Sequence, residues 1–281
     1  MKFLIGSLSI VLLSANANAQ YYYKDIVSTR QNMARWQAIK AAGVRSIRLN
    51  SAEGDGRPTE GFDVEQTVNP DFSGMTTHSK TSGSTETWTF STYSPQGRLM
   101  SVTDTSNTYQ SVSTYQYDAG GRLESITNVA TELDNNVRAV ETHVWQYASA
   151  TTDVPASMLK IENGSDTTYV RFIPDEKGNV GEERATRNKE TLPGVYYYYD
   201  DHNRLTDVVR YSARAHRLLP DNIFEYDDNG REISMLAVQQ GAASYQKWLY
   251  TYNDKGLKDK DACYNREHEL LGTVQYQYTY K

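Results

Sequence analysis

The segment Tyr115-Gln116-Tyr117-Asp118-Ala119-Gly120-Gly121-Arg122-Leu123 holds a strand, a turn and the start of a returning strand. Tyrosines at alternate positions put two rings on one face of an extended chain. Asp118 suits the first position of a type I turn, and Gly121 supplies the left-handed conformation needed at the fourth. Together they predict a hairpin closed by a bulge glycine. The same pattern recurs in Ser94-Pro95-Gln96-Gly97, Asp175-Glu176-Lys177-Gly178, Asp200-Asp201-His202-Asn203, Asp227-Asp228-Asn229-Gly230 and Asn253-Asp254-Lys255-Gly256. The closing residues are spaced 24, 57, 25, 27 and 26 apart. The interval of 57 is about twice the others, so a degenerate unit is expected between, entered by Trp145-Gln146-Tyr147 and running to Pro155.

Aromatic residues precede the turns, among them Trp88, Phe90, Tyr93, Phe172, Tyr226, Trp248 and Tyr252. Arginine follows them at Arg98, Arg122, Arg204 and Arg231, where its guanidinium is expected to lie over tyrosines of the same or the next hairpin. A last half-unit, Val274 to Tyr280, alternates apolar and polar residues as a one-sided strand does. The predicted fold class is all-β: repeated antiparallel hairpins forming one long curled sheet, barrel- or sandwich-like, with one N-terminal helix.

The nine residues from Tyr115 to Leu123, and Tyr226-Asp227-Asp228-Asn229-Gly230-Arg231, resemble the tyrosine-aspartate (YD) repeats of the Rhs family. The resemblance extends over roughly residues 85 to 281. In that family the hairpins join edge to edge into a spiralling sheet that closes into a shell around a toxin cargo. The resemblance implies the strand-turn-strand architecture for this chain. The toxin-carrying role is not expected here, since the units are too few for such a shell and no variable toxin domain follows them.

Residues 1–19 read as a secretory signal peptide: Lys2, the apolar run Phe3 to Leu13, and Ala17-Asn18-Ala19 before Gln20. The run is short for a membrane span. Residues 20–84 are expected to form a helix and the first strands, and residues 85–281 the YD-like hairpins, as one continuous domain. The helix falls within residues 24 to 43. Ser28 with Gln31 forms a capping-box pattern, Met33, Trp36 and Ile39 or Lys40 share a face, and Gly43 ends it in a left-handed cap. Trp36 could anchor a partner, but a plug on an open sheet edge or barrel mouth is favoured. Residues 45–49 resume a strand. The acidic stretch Asn50 to Gly61 lacks calcium-loop spacing and reads as a turn, and residues 69 to 85 as a loop or weak hairpin.

Without residues 1–19 the chain keeps 28 basic residues against 35 acidic ones, a net charge of −7. An acidic chain without a basic cluster argues against nucleic acid as a partner. No transmembrane span is expected after signal removal, and an outer-membrane barrel would need longer apolar alternation than Thr108 to Thr114 offers. The single Cys263 makes no internal disulfide and reads as an inert packing thiol.

No catalytic constellation emerges. His78, His143, His202, His216 and His268 are scattered without metal-ligand spacing. Asp200-Asp201 and Asp227-Asp228 read as solvated turn acids rather than a glycosidase pair. Asn163-Gly164-Ser165 matches a glycosylation sequon but reads as a turn. Tyr196, Tyr197, Tyr198 and Tyr199 must place two rings on each face of a strand, one pair for the core and one for ladder packing or a ligand surface. No cofactor or metal is expected. The chain therefore reads as an exported, non-enzymatic binding or scaffold protein of the cell envelope or surface, with an unknown protein or glycan partner. The alternative is an envelope-polymer hydrolase whose catalytic residues the sequence does not reveal.

Overall fold

The computed structural model describes residues 21–212, 215–238 and 244–281. The expected signal peptide lies outside them. Among the described residues one helix, α1 (Lys24–Ala41), is followed by nineteen strands. The first nine are β1 (Val44–Glu53), β2 (Asp63–Val68), β3 (Gly74–Lys80), β4 (Thr87–Tyr93), β5 (Leu99–Thr105), β6 (Tyr109–Tyr117), β7 (Leu123–Glu132), β8 (Val137–Tyr147) and β9 (Pro155–Glu162). The rest are β10 (Asp166–Pro174), β11 (Val180–Arg187), β12 (Glu190–Thr191), β13 (Val195–Tyr199), β14 (Leu205–Ser212), β15 (Arg217–Tyr226), β16 (Glu232–Val238), β17 (Tyr245–Tyr252), β18 (Lys258–Tyr264) and β19 (Leu270–Tyr280).

Each strand pairs antiparallel with its neighbours in sequence, save that β11 pairs with β13 as well as with the short β12. Strand β19 returns to β1, in register from Val44↔Tyr280 to Glu53↔Gly272. With β12 outside the ring, eighteen strands close an antiparallel barrel. The expectation of a barrel-like curled sheet is met, and closure removes the unpaired edges that an open sheet would expose. The degenerate unit supplies β8 and β9 as expected. Residues 74–80 form a strand paired on both sides, more regular than the loop or weak hairpin the sequence suggested.

The turns explain the repeat. Gly97, Gly121, Gly178, Asn203, Gly230 and Gly256 all have positive φ, and each donates its N–H to the carbonyl of the residue opening the turn. One residue before each turn the register slips by one, at Thr92/Tyr93, Gln116/Tyr117, Gln146/Tyr147, Ile173/Pro174, Tyr198/Tyr199, Glu225/Tyr226 and Thr251/Tyr252. A bulge bends a strand and increases its twist, so its recurrence around the ring supplies curvature in regular increments.

A second regularity ties one hairpin to the next. The last tyrosine of a hairpin donates its hydroxyl to a carbonyl at the start of the preceding hairpin's returning strand: Tyr117 to Leu99, Tyr147 to Leu123, Tyr226 to Leu205, Tyr252 to Glu232 and Tyr278 to Lys258, at 2.6–2.9 Å. The arginine of that preceding unit lies over the same ring: Arg98 on Tyr117 at 5.7 Å, Arg122 on Tyr147 at 4.2 Å, Arg204 on Tyr226 at 5.0 Å and Arg231 on Tyr252 at 4.7 Å. The expected arginine–tyrosine packing is present, and in all four cases it reaches the next hairpin.

All the YD turns lie at one end of the barrel, and the core gathers there. Leu99, Leu123, Leu205 and Leu257 point inward beside the turns and are buried. Helix α1 fills this mouth. Ile26, Thr29, Trp36 and Ile39 are buried, and Trp36 stacks on Tyr93 with ring centroids 3.8 Å apart. Lys40 Nζ reaches the Pro95 carbonyl and Arg30 the Asp153 carbonyl, both in turns of the rim. The helix is therefore a plug, and Trp36, 1 % exposed, is not a partner anchor. Gly43 ends the helix with φ +68° as expected. The capping box does not form: α1 begins at Lys24, and Ser28 Oγ bonds back to the Lys24 carbonyl at 2.6 Å. The reason lies across the barrel, where Glu183 takes the place of a local cap.

Candidate functional site at the plugged mouth

Glu183 points inward from β11 and is buried. Its Oε2 accepts the backbone N–H groups of Tyr22 and Tyr23, both at 2.9 Å, and the Tyr197 hydroxyl at 2.7 Å. A carboxylate at a helix N-terminus satisfies orphan donors and suits the positive end of the helix dipole. Burial nevertheless pushes the Glu183 carboxyl above its usual pKa, against those three donors.

A second anchor sits on β8. His143 Nδ1 lies 2.6 Å from Asp25 Oδ2 in the first turn of α1, and Nε2 lies 3.0 Å from Glu141 Oε1. Lys160 on β9 bridges Glu141 and Glu162 at 2.8 and 3.1 Å, and Arg187 on β11 pairs with Glu162 and Asp166. Burial disfavours the His143 imidazolium, but bonding and charge from Asp25 and Glu141 overcome it and raise the pKa to about 9. Glu141 moves the other way, to about 2, because His143 and Lys160 outweigh its desolvation. Beside this group a cavity of about 30 Å³, lined in part by Ser28, Asn32, Tyr115 and Asn128, has room for a water or two.

The third anchor is Glu232 at the start of β16, 3.3 Å from the Gln31 amide of the helix. Burial pushes its carboxyl up to about 7, against the charge of Lys258 and with that of Asp261. On the remaining side, the Arg35 guanidinium donates to Gln66 Oε1 on β2 at 2.7 Å. The helix is thus gripped from β2, β4, β8, β11 and β16, most of the way round the ring.

This arrangement positions a helix. Both nitrogens of His143 face carboxylates, so neither is presented to a substrate, and Glu141 is itself paired with Lys160. Among the described residues no group of three or more His, Cys, Asp or Glu side chains could hold a metal ion. Cys263 is buried and its thiol is pushed up to about 11, in line with an inert packing role. No helix among the described residues is long and apolar enough to cross a membrane.

The tyrosine run is split by β13. Tyr197 and Tyr199 face inward: Tyr197 packs edge-on against Tyr21 and Tyr23, and the Tyr199 hydroxyl donates to the Val180 carbonyl. Tyr196 and Tyr198 face outward, and Tyr198 is 48 % exposed. The opening turn acids differ from the solvated groups expected. Asp118, Asp200 and Asp227 each accept the backbone N–H and the side-chain Nε of the arginine four residues on. Their neighbours Asp201 and Asp228 are exposed, and Asn163 opens the turn between β9 and β10 with φ +49°. Sequence reasoning missed Glu183 and His143. The only signal was that each sits at an inward position of a strand where an apolar residue would be expected.

Residues 93–132 match the sequence profile of the RHS Repeat family. Among curated proteins none matches the sequence. Among solved structures, the chain resembles a porin-like protein from Bacteroides uniformis, with 8 % identity over 84 % of this chain and 98 % of that one, and a TM-score of 0.42. It also resembles the Photorhabdus luminescens Tc holotoxin pore, with 11 % identity over 78 % of this chain and 16 % of that one, and a TM-score of 0.30. The matched hairpin is thus an RHS repeat over residues 93–132, and its turn geometry recurs around the barrel.

Proposed function

We propose that this chain is an exported, non-enzymatic binding or scaffold protein of the cell envelope or surface, working through its outer wall. The observation that carries this reading is the use made of the interior. Glu183, the His143–Asp25 pair and Glu232 are used to hold α1, and the helix occupies the mouth at the turn end. What remains for recognition is the outer wall, where ion pairs such as Arg48–Asp63 and Arg184–Glu182 lie among hydroxyl side chains and single aromatic rings. Charged pairs spread along the strands also argue against a lipid-facing belt. The outward Tyr196 and Tyr198 remain candidates for a ligand surface.

The reading is tested by expressing the full chain and fractionating the cells, with mass spectrometry of the amino terminus. Recovery outside the cytoplasm with Gln20 as first residue is expected. Cytoplasmic protein retaining Met1 to Ala19 would overturn the export reading. Turnover of envelope polymers by the purified protein would overturn the non-enzymatic one.

A further inference from the structure

We infer that a cleft beside Trp88, on the outer wall at the rim opposite the helix, binds a pyranose unit of a neutral glycan. The inference rests on the chain being a binding protein and names the ligand class. On β4, Trp88 and Phe90 both point outward, since the inward positions between and after them are Thr89, Ser91 and Tyr93. Each is 42 % exposed. Large aromatic rings left in water on a barrel that buries others call for an explanation.

Trp88 is held in place. Its cross-strand neighbour His78 lies with ring centroid 4.4 Å away, and His78 Nε2 is 2.5 Å from Glu86 Oε1. On the other side, Thr105 is its partner on β5, and the turn that follows brings Ser106 and Asn107. With Glu86 these residues line an open cleft of about 340 Å³ on the barrel surface, within the size range of small-ligand sites. It offers an indole ring and the Asn107 amide; the Thr105 and Ser106 hydroxyls donate to main-chain carbonyls, and Glu86 is bonded to His78, which leaves these three groups to accept from a ligand. A pyranose has the matching shape, with an apolar C–H face to lie on an aromatic ring and hydroxyls at its rim to donate and accept.

Other occupants fit less well. A peptide that adds a strand needs an open sheet edge, and both β4 and β5 are paired on each side. A phosphate or anionic headgroup needs Lys or Arg, and the cleft is lined by Glu86 and neutral groups.

The test uses the full chain with cellohexaose, chitohexaose, maltohexaose and xylohexaose, each titrated to about 10 mM, where even millimolar affinity is visible, and followed by calorimetry. At least one is expected to bind. Trp88→Ala and Asn107→Ala are each expected to weaken it about tenfold or more at unchanged melting temperature. Having two variants keeps the test decisive if one folds poorly. Tyr211→Ala, which removes an exposed ring from β14 on the far side of the barrel, is expected to bind as wild type. Loss of binding in Tyr211→Ala with retention in Trp88→Ala would overturn this site but leave the binding reading standing. No binding of any of the four would overturn the inference while leaving the export result untouched.

Discussion

The repeat is written at the scale of single residues, and its positions are not equivalent. A β-carbon added at Gly230 would meet nothing within 4 Å, whereas one added at Gly121 would lie 2.0 Å from the Arg98 guanidinium. That guanidinium is held over Tyr117. Asparagine tolerates the left-handed conformation, and Asn203 already occupies the same turn position with φ +57°. Gly230→Asn should therefore cost only a few tenths of a kcal/mol, while Gly121→Asn should cost more, up to about 1 kcal/mol, because it must also move the Arg98 guanidinium off Tyr117. Urea denaturation of the two variants against wild type checks this, and equal losses would show that the Arg98 contact is slack. The turn chemistry was legible because it is local: opening acid, closing glycine and arginine fall within five residues. The hydroxyl of Tyr117 reaching Leu99, eighteen residues back, was not, although the regular return of tyrosine hinted that each ring serves its neighbour.

At the scale of elements, the helix shows where sequence reading stopped. Its existence and its Gly43 end follow from spacing, and the burial of Trp36 from the need to cover an open sheet edge or barrel mouth. Its start does not, because the cap comes from Glu183, 160 residues beyond Tyr23, and no local pattern encodes a partner so distant. The same holds for His143, whose partner Asp25 is 118 residues away. That pair makes the seating of α1 depend on pH. A histidine raised from 6.5 to about 9 in the folded state contributes stability that is whole below about pH 6.5 and is lost as pH rises through about 9. Glu232, raised to about 7, likewise loses its contribution on the way from its ordinary value of 4.5. Lys258, lowered by burial, acts in the opposite sense. Comparing wild type with His143→Gln isolates the histidine. The variant should be less stable at pH 6, and the gap should narrow between pH 7 and 9. A gap independent of pH across that range would show that His143 is not charged when folded. At the acid end Glu141, lowered from 4.5 to about 2, contributes stability that is whole above about pH 4.5 and is lost progressively as pH falls from there through about 2.

At the scale of the whole molecule, the property to be explained is closure. Hairpins that pair with their sequence neighbours make a ribbon, and a ribbon has two edges wherever it stops. Here the first edge is β1 and the last is β19, and their pairing runs through nine matched positions. Sequence reading foresaw that Val274 to Tyr280 needs a partner edge. It did not foresee β1 as that partner, because nothing local to Arg45-Ser46-Ile47-Arg48-Leu49 distinguishes an edge strand from an interior one. Truncation after Gly272 removes most of β19 and strips both β1 and β18 of a neighbour. It also removes Tyr276 and Tyr278, whose hydroxyls bond Asp261 and the Lys258 carbonyl. Two exposed edges in one molecule are complementary to those of a second copy, so the truncated chain should associate head to tail rather than merely melt earlier. Size-exclusion chromatography over a range of concentrations should show growing oligomers, together with a lower melting temperature. Adding Lys or Pro on the outward positions of β18 should suppress the association without restoring the melting temperature, since such residues block edge pairing but replace none of the lost contacts. A truncated chain that stays monomeric with unchanged melting would mean that β19 is peripheral and that the ring is held shut by the helix in its mouth.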